Sequence, residues 1–317
     1  MTDGMMPLFS VVIPVHDRAD VLKPALASVV AQSCADFEVI VVDDGSSDDP
    51  ARVVAGFADP RLSIVRQENR GACAARNRGI DLARGRYVAF LDSDDRFLPH
   101  HLETMARLLD GRTDTAGYAR MIVNRGGGRR LVKPPRALRA GEHMAIYLLC
   151  DRGFVPTITL VVPRTIAARV RYDETVSYGD DKDFAIRLFL AGCNFAMADA
   201  PGAVWNDVYD PARLSAGRRG ASLLPWIERM RPRLPARAYY GCRGWAIAKG
   251  VAATSKPAAF KLFVEAVLHG AYRPAMAARI FLQIFLPDRV YRRLADATLA
   301  KEPDAAPGPH PSLSEAC

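Results

Sequence analysis

The stretch Phe37-Glu38-Val39-Ile40-Val41-Val42-Asp43-Asp44-Gly45-Ser46-Ser47-Asp48-Asp49 decides the fold. Its first half is an apolar run, as expected for a strand buried on both faces. Its second half is acids, glycine and serine, which is loop chemistry. Two other runs end in the same way: Phe9 to Val15 leads into His16-Asp17, and Tyr87 to Leu91 leads into Asp92-Ser93-Asp94-Asp95. Leu62 to Val65 reads as a further strand. Helical spacing fills the gaps, through Val21, Leu22, Leu26 and Val29, through Ala72 to Ala83, and after Pro99, a residue suited to a first helical turn. This alternation predicts an α/β fold with a mostly parallel sheet flanked by helices.

The pattern then changes. Met121 to Asn124 and Arg130 to Lys133 flank a glycine turn and predict a hairpin. Thr157 to Val162 is read as a strand, and Asp180 to Leu190 as a helix opened by acids. Beyond Asn206 the chain reads as helical, Arg-rich and broken by prolines. The expected organisation is an α/β domain over 1–215, a basic helical extension over 216–301, and a disordered tail over 302–317 with four prolines. The net charge of +8 is uneven: residues 1–99 carry −4 and residues 201–302 carry +10. A basic third suits an anionic neighbour, or it is a solvated helical face. No motif accompanies it that would indicate nucleic-acid binding. The six cysteines form no C-x-x-C pair, and reduced thiols in a cytoplasmic protein are expected. No stretch reaches the roughly 20 apolar residues that span a bilayer.

Ligands of open α/β sheets bind beyond the carboxyl ends of the strands, where the three acidic clusters fall. Asp92-Ser93-Asp94 places two carboxylates two residues apart. In an extended segment both would face one ligand. Carboxylates beside a diphosphate repel it unless a divalent cation stands between, so Mg²⁺ or Mn²⁺ is implied. Acidic turns of this kind also serve as plain helix caps. The later Gly179-Asp180-Asp181 offers a carboxylate able to take a proton from an attacking hydroxyl, or again a helix cap.

Five segments, taken in order, resemble family 2 glycosyltransferases of the GT-A fold. They are Phe9 to Val15, Phe37 to Ser46, Asn69 to Ile80, Phe90 to Asp95, and Tyr172-Asp173-Glu174 with Gly179-Asp180-Asp181. The resemblance covers residues 9–210. It implies a GT-A, Rossmann-like catalytic domain and transfer of a sugar, with inversion, from a nucleotide diphosphate to an acceptor hydroxyl. UDP is the expected nucleotide. By the same resemblance Pro14 and Val15 line the nucleotide pocket, Asp44 binds the base, and Arg76 lies near base or diphosphate. Asp92, with Ser93, contacts ribose or sugar; Asp94 holds the metal; Asp181 is the base. The acceptor would be a carbohydrate or lipid-linked glycan in surface polysaccharide or glycolipid assembly.

Three departures stand out. Asp180 replaces the usual Glu, His16-Asp17 replaces the frequent Tyr-Asn, and no His occurs in 205–215. A haloacid-dehalogenase-type phosphatase is the competing reading, with Asp92 as nucleophile and Asp94 as acid/base. Asp95-Arg96 in place of Gly-Thr counts against it. In the extension, Lys261, Glu265 and His269 form a polar stripe opposite Phe260, Phe263, Val264 and Val267, and Ile280 to Leu286 is mostly apolar. Residues 258–301 are therefore expected to associate peripherally with the inner face of the cell membrane, or else to pack on the core.

Overall fold

The computed structural model describes residues 6–126, 130–207, 219–287 and 290–291. The turn of the predicted hairpin at 127–129, much of the presumed domain boundary, and the 302–317 tail lie outside the described residues.

The strands are β1 (Phe9–Val15), β2 (Phe37–Asp43), β3 (Leu62–Arg66), β4 (Tyr87–Phe90), β5 (Arg96–Phe97), β6 (Thr115–Asn124), β7 (Arg130–Lys133), β8 (Val161–Pro163) and β9 (Asn194–Asn206). They form one sheet in the order β3-β2-β1-β4-β8-β6-β9-β5, with β7 paired to β6. The half from β3 to β4 is parallel throughout. The other half is mixed: β8 runs antiparallel to β4 and β6, and β9 runs parallel to β6.

The expected α/β layering follows from the side-chain alternation of the central strands. Val11, Ile13, Val39, Val41 and Ala89 enter a core on one face. Val12, Ile40, Val42, Val88 and Phe90 enter a core on the other. Helices cover both. In the first half they are α1 (Ala19–Val30), α2 (Pro50–Ala55), α3 (Ala72–Leu82) and α4 (His101–Leu108). Then come α5 (Met144–Leu149), α6 (Arg164–Val170) and α7 (Asp180–Leu190). Pro99 sits just outside α4, whose N-cap is His100. Helix α3 packs closely on β1: a Cβ on Gly79 would lie 2.2 Å from Val12 Cγ1.

Two readings of the middle region change. Thr157–Thr159 is a single 3₁₀ turn, and only Val161–Pro163 pairs as a strand. The Thr159 hydroxyl bonds the backbone of Ala119, which holds the segment in a turn. The 13-residue β9, unread in the sequence, is the longest strand and pairs along β6.

The extension contains α8 (Leu224–Met230), α9 (Ala236–Cys242), α10 (Ala248–Val251), α11 (Lys256–Leu268) and α12 (Pro274–Phe285), with a π-helical turn at Arg243–Ile247. Leu223, Trp226, Ile227, Met230, Tyr239 and Ile247 join the main core on the α7 face. Farther on, Ala259, Phe263, Ala266, Tyr272, Ile280 and Ile284 form a small core of their own. Among the described residues no helix is long and apolar enough to cross a membrane. The described cysteines are unbridged.

Candidate active site

Because β1 to β4 are parallel, the loops after them gather along one edge of the sheet. They interlock through side chain to backbone bonds. Asp17, at φ +49°, accepts from the Ser47 backbone N–H at 2.7 Å and the Ser47 hydroxyl at 3.0 Å. Asp48 accepts from the Ala19 N–H at 2.7 Å, and Asp43 from the Ser46 N–H at 2.8 Å. An open cleft of about 540 Å³ is lined by Gly45, Arg66, Gln67, Glu68 and Asn69, a size in the range of small-ligand sites. His16 reaches its rim and meets the Asn69 amide at 2.9 Å.

Pro14 and Val15 end β1 opposite Val42 and Asp43. The Val15 carbonyl accepts from the Asp44 N–H at 2.9 Å, which fixes Asp44 at the end of β2, next to Gly45 of the cleft lining. The buried Asp44 carboxylate then accepts from Gln67 Nε2 at 2.8 Å and from the N–H groups of Arg70 and Gly71 at 2.9 and 2.7 Å. A carboxylate has about four acceptor sites, so one remains for a ligand. Asp44 thus also shapes the 67–71 loop, whose first residues line the cleft.

The Asp92-Ser93-Asp94 segment is not extended. Strand β4 ends at Phe90, and the Asp95 N–H closes a turn on the Asp92 carbonyl at 3.1 Å. The two carboxylates therefore diverge. Asp92 Oδ1 accepts from Arg76 Nη2 at 2.7 Å, and Asp94 Oδ2 accepts from Arg18 Nη1 at 2.6 Å. Ser93 between them is buried. Asn206, at the end of β9, braces the turn by donating to the Asp94 carbonyl at 2.7 Å and to Asp95 Oδ1 at 2.9 Å.

Arg76 joins the two halves of the site. It is 6% exposed, donates to Asp92, and donates from Nη1 to Asp180 Oδ2 at 2.7 Å. Tyr172 lies beneath its guanidinium, 5.2 Å from ring centroid to Cζ. Burial opposes the charge, but Asp92 and Asp180 outweigh it and hold the guanidinium pKa well above its ordinary value. Aspartate at 180 is thus long enough to reach Arg76.

Asp181 stands at the N-terminus of α7, after Gly179 at φ +78°. It accepts from the Lys182 N–H at 2.8 Å. Burial raises its carboxyl pKa, as does Asp180, against the lowering by Lys182 and Arg76. A carboxylate made more basic in this way is suited to taking a proton. Two residues on, the buried Asp183 accepts from Trp226 Nε1 of α8 at 2.8 Å and pairs with Arg187. A second cavity of about 230 Å³ opens beside this helix start, lined by residues 175–178 with Ser222, Pro225, Trp226 and Arg229.

Among the described residues no three His, Cys, Asp or Glu side chains converge as a metal cage. The hard carboxylate oxygens of Asp94 alone would fit a different mode, in which Mg²⁺ or Mn²⁺ takes one carboxylate and is completed by phosphate oxygens and water.

Arg18, Asn206 and Trp226 carried no signal in the sequence. Their partners lie 76, 112 and 43 residues away, beyond any local pattern.

The acidic turn after β4 and the second acid pair at the start of α7 are brought together by the Arg76 bridge. The glycosyl transferase family 2 model matches residues 10–173, and the chain belongs to that family. It is 34% identical over 245 residues to the amylovoran biosynthesis glycosyltransferase AmsB of Erwinia amylovora, covering 73% of this chain and 80% of that one. Solved structures share the GT-A fold. S. aureus TarS in complex with UDP-GlcNAc aligns at TM-score 0.60 and 17% identity, over 92% of this chain and 91% of that one. The mannosyltransferase PcManGT of Pyrobaculum calidifontis, in complex with GDP-Man and Mn²⁺, aligns at TM-score 0.59 and 19% identity, over 95% and 89%. Membership of this family removes the phosphatase reading.

Replacing Arg76 with Met leaves Asp92 and Asp180 without their shared cation. Breaking a buried pair costs about 3 to 5 kcal/mol, toward the lower figure here because both carboxylates stay partly exposed. Urea unfolding is expected to show this loss, with part recovered in the Arg76→Met/Asp180→Asn double variant. Equal stability of the double and single variants would count against the bridge.

Proposed function

We propose that this enzyme transfers a sugar from a nucleotide diphosphate, with UDP as the expected nucleotide, to an acceptor hydroxyl with inversion at the anomeric carbon. The observation that carries this reading is the Arg76 bridge, which sets Asp92 on the donor side against Asp180, and hence Asp181, on the acceptor side. In the proposed roles, Pro14, Val15 and Asp44 bind the base in the strand-end cleft. Asp92 and Ser93 orient ribose or sugar, and Arg76 fixes their distance from α7. The acceptor oxygen attacks the anomeric carbon as the bond to the diphosphate oxygen breaks. Asp181 takes the hydroxyl proton, and no covalent enzyme intermediate is required. Asp94 would hold Mg²⁺ or Mn²⁺, which would supply Lewis-acid neutralisation of the leaving diphosphate. The 230 Å³ cavity beside α7 is assigned to the acceptor. AmsB, by its name, is a glycosyltransferase of amylovoran biosynthesis, which supports a carbohydrate or lipid-linked glycan as acceptor.

The reading extends to a membrane surface. Phe260, Leu268, Phe281 and Leu282 are exposed on α11 and α12, with Leu268 at 79%. Lys256, Lys261, Arg273 and Arg279, on or beside the same helices, are also exposed. Apolar side chains amid cations suit the interface of an anionic bilayer, each cation contributing about 1 kcal/mol there. Arg289, Arg292 and Arg293 lie outside the described residues.

Three measurements test these assignments. The full chain is expected to gain thermal stability with one of UDP, GDP, CDP or dTDP, in Mn²⁺ but not in EDTA. Ligand at a hundred times its dissociation constant contributes about 2.7 kcal/mol. No gain with any nucleotide would remove the donor assignment.

Asp181→Asn should abolish transfer while nucleotide binding persists. Because burial raises the Asp181 pKa, the folded state favours its protonated form. That contribution is present at low pH and lost as pH rises through the raised value. The Asn variant should therefore melt above wild type at pH 7, and the gap should close as the pH falls below the ordinary carboxylate range. A lower melting point at pH 7 would contradict the desolvated base.

Full-length protein should float with anionic vesicles and not with neutral ones, and Phe281→Ser with Leu282→Ser should weaken this. Indifference to anionic vesicles would discard the membrane surface.

A further inference from the structure

Arg18 leaves the loop after β1 and caps the start of α1, and its guanidinium meets Asp94 Oδ2 at 2.6 Å. The pair is not locked into the core: the two side chains keep 31% and 20% exposure. Asp94 is also the carboxylate assigned to the metal, and the inference rests on that assignment. A divalent cation on Asp94 and a guanidinium in contact with the same carboxylate repel each other. The two cations therefore compete for one group.

The position of Arg18 gives the displaced guanidinium somewhere to go. It starts from the strand edge where the loops after β1, β2 and β4 meet, the edge that faces a donor's phosphates. Arginine carries a planar fork that matches phosphate oxygens in pairs, and it never loses its proton. We propose that Arg18 is a positioning residue that occupies the cation's place on Asp94 in the donor-free enzyme and passes to the donor diphosphate when metal and nucleotide bind. In the free enzyme the guanidinium keeps Asp94 neutralised and in place. In the loaded enzyme the charge brought by the diphosphate is answered by both cations.

This arrangement makes metal and nucleotide bind cooperatively. Metal alone must displace Arg18 with no new anion to receive it. Metal with nucleotide supplies that anion. Coupling of this kind is reciprocal between the two ligands. The alternative is a static brace between the loops after β1 and β4, which affects stability but not metal affinity.

The test reads Mn²⁺ binding to nucleotide-free, full-length protein from the paramagnetic resonance signal of free Mn²⁺. Wild type, Arg18→Gln, Arg18→Lys, Asp94→Ala and the Arg18→Gln/Asp94→Ala double variant are compared at a temperature where all are folded. Arg18→Gln should bind Mn²⁺ alone about fivefold or more tightly than wild type, the lower end of typical coupling. The double variant should lose that gain. Arg18→Lys, which keeps the charge without the fork, should stay close to wild type for Mn²⁺ alone. In Mn²⁺, calorimetric titration of the nucleotide that stabilises wild type should show weaker binding to both Arg18 variants. Unchanged or weaker Mn²⁺ affinity in Arg18→Gln, with Asp94→Ala still lowering it, would overturn the proposal and leave the metal assignment standing. Mn²⁺ binding indifferent to Asp94 in every background would overturn the metal assignment, and the proposal with it.

Discussion

A single guanidinium, that of Arg76, holds two carboxylates that would otherwise repel. Asp92 comes from the turn after β4, and Asp180 from the start of α7, 88 residues later in the chain. Burying such a cluster brings little net stability, because desolvation offsets most of the attraction. What it supplies is geometry. With Arg76 one turn into α3, and α3 seated on β1 through the contact of Gly79 with Val12, the distance between the turn after β4 and the start of α7 follows from backbone packing. Lysine could not make both contacts from one planar group.

The parallel half of the sheet was legible because burial on both faces forces apolar runs, and β1, β2, β3 and β4 fall within a residue of their expected ends. The mixed half was less so. Strand β9 carries Asp199, Pro201 and Gly202 in its middle, and its pairing with β6 shifts register near Arg120. An irregular strand of that kind exists because β6 is beside it, and no local pattern reports the neighbour. Thr157 to Val162 failed for the opposite reason. Its composition favours a strand, yet the Thr159 hydroxyl bonds Ala119 and the backbone turns.

The site divides along the same line. Acids at strand ends were visible, because loop chemistry after an apolar run is a local signal. How they are used was not. Extended geometry would have aimed Asp92 and Asp94 at one ligand, whereas the turn sends them to two different arginines. Asp44 likewise does more than its motif suggests, since it organises the loop from Gln67 to Gly71 while keeping room for one further donor.

The hydrogen bond from Trp226 to Asp183 ties α8 to the helix that presents Asp181. Residues of α8 also line the cavity beside that helix. The wall of that cavity is thus mechanically joined to the helix that carries Asp181. Exchange of C-terminal segments between relatives would carry over that cavity wall together with its own seating of α7.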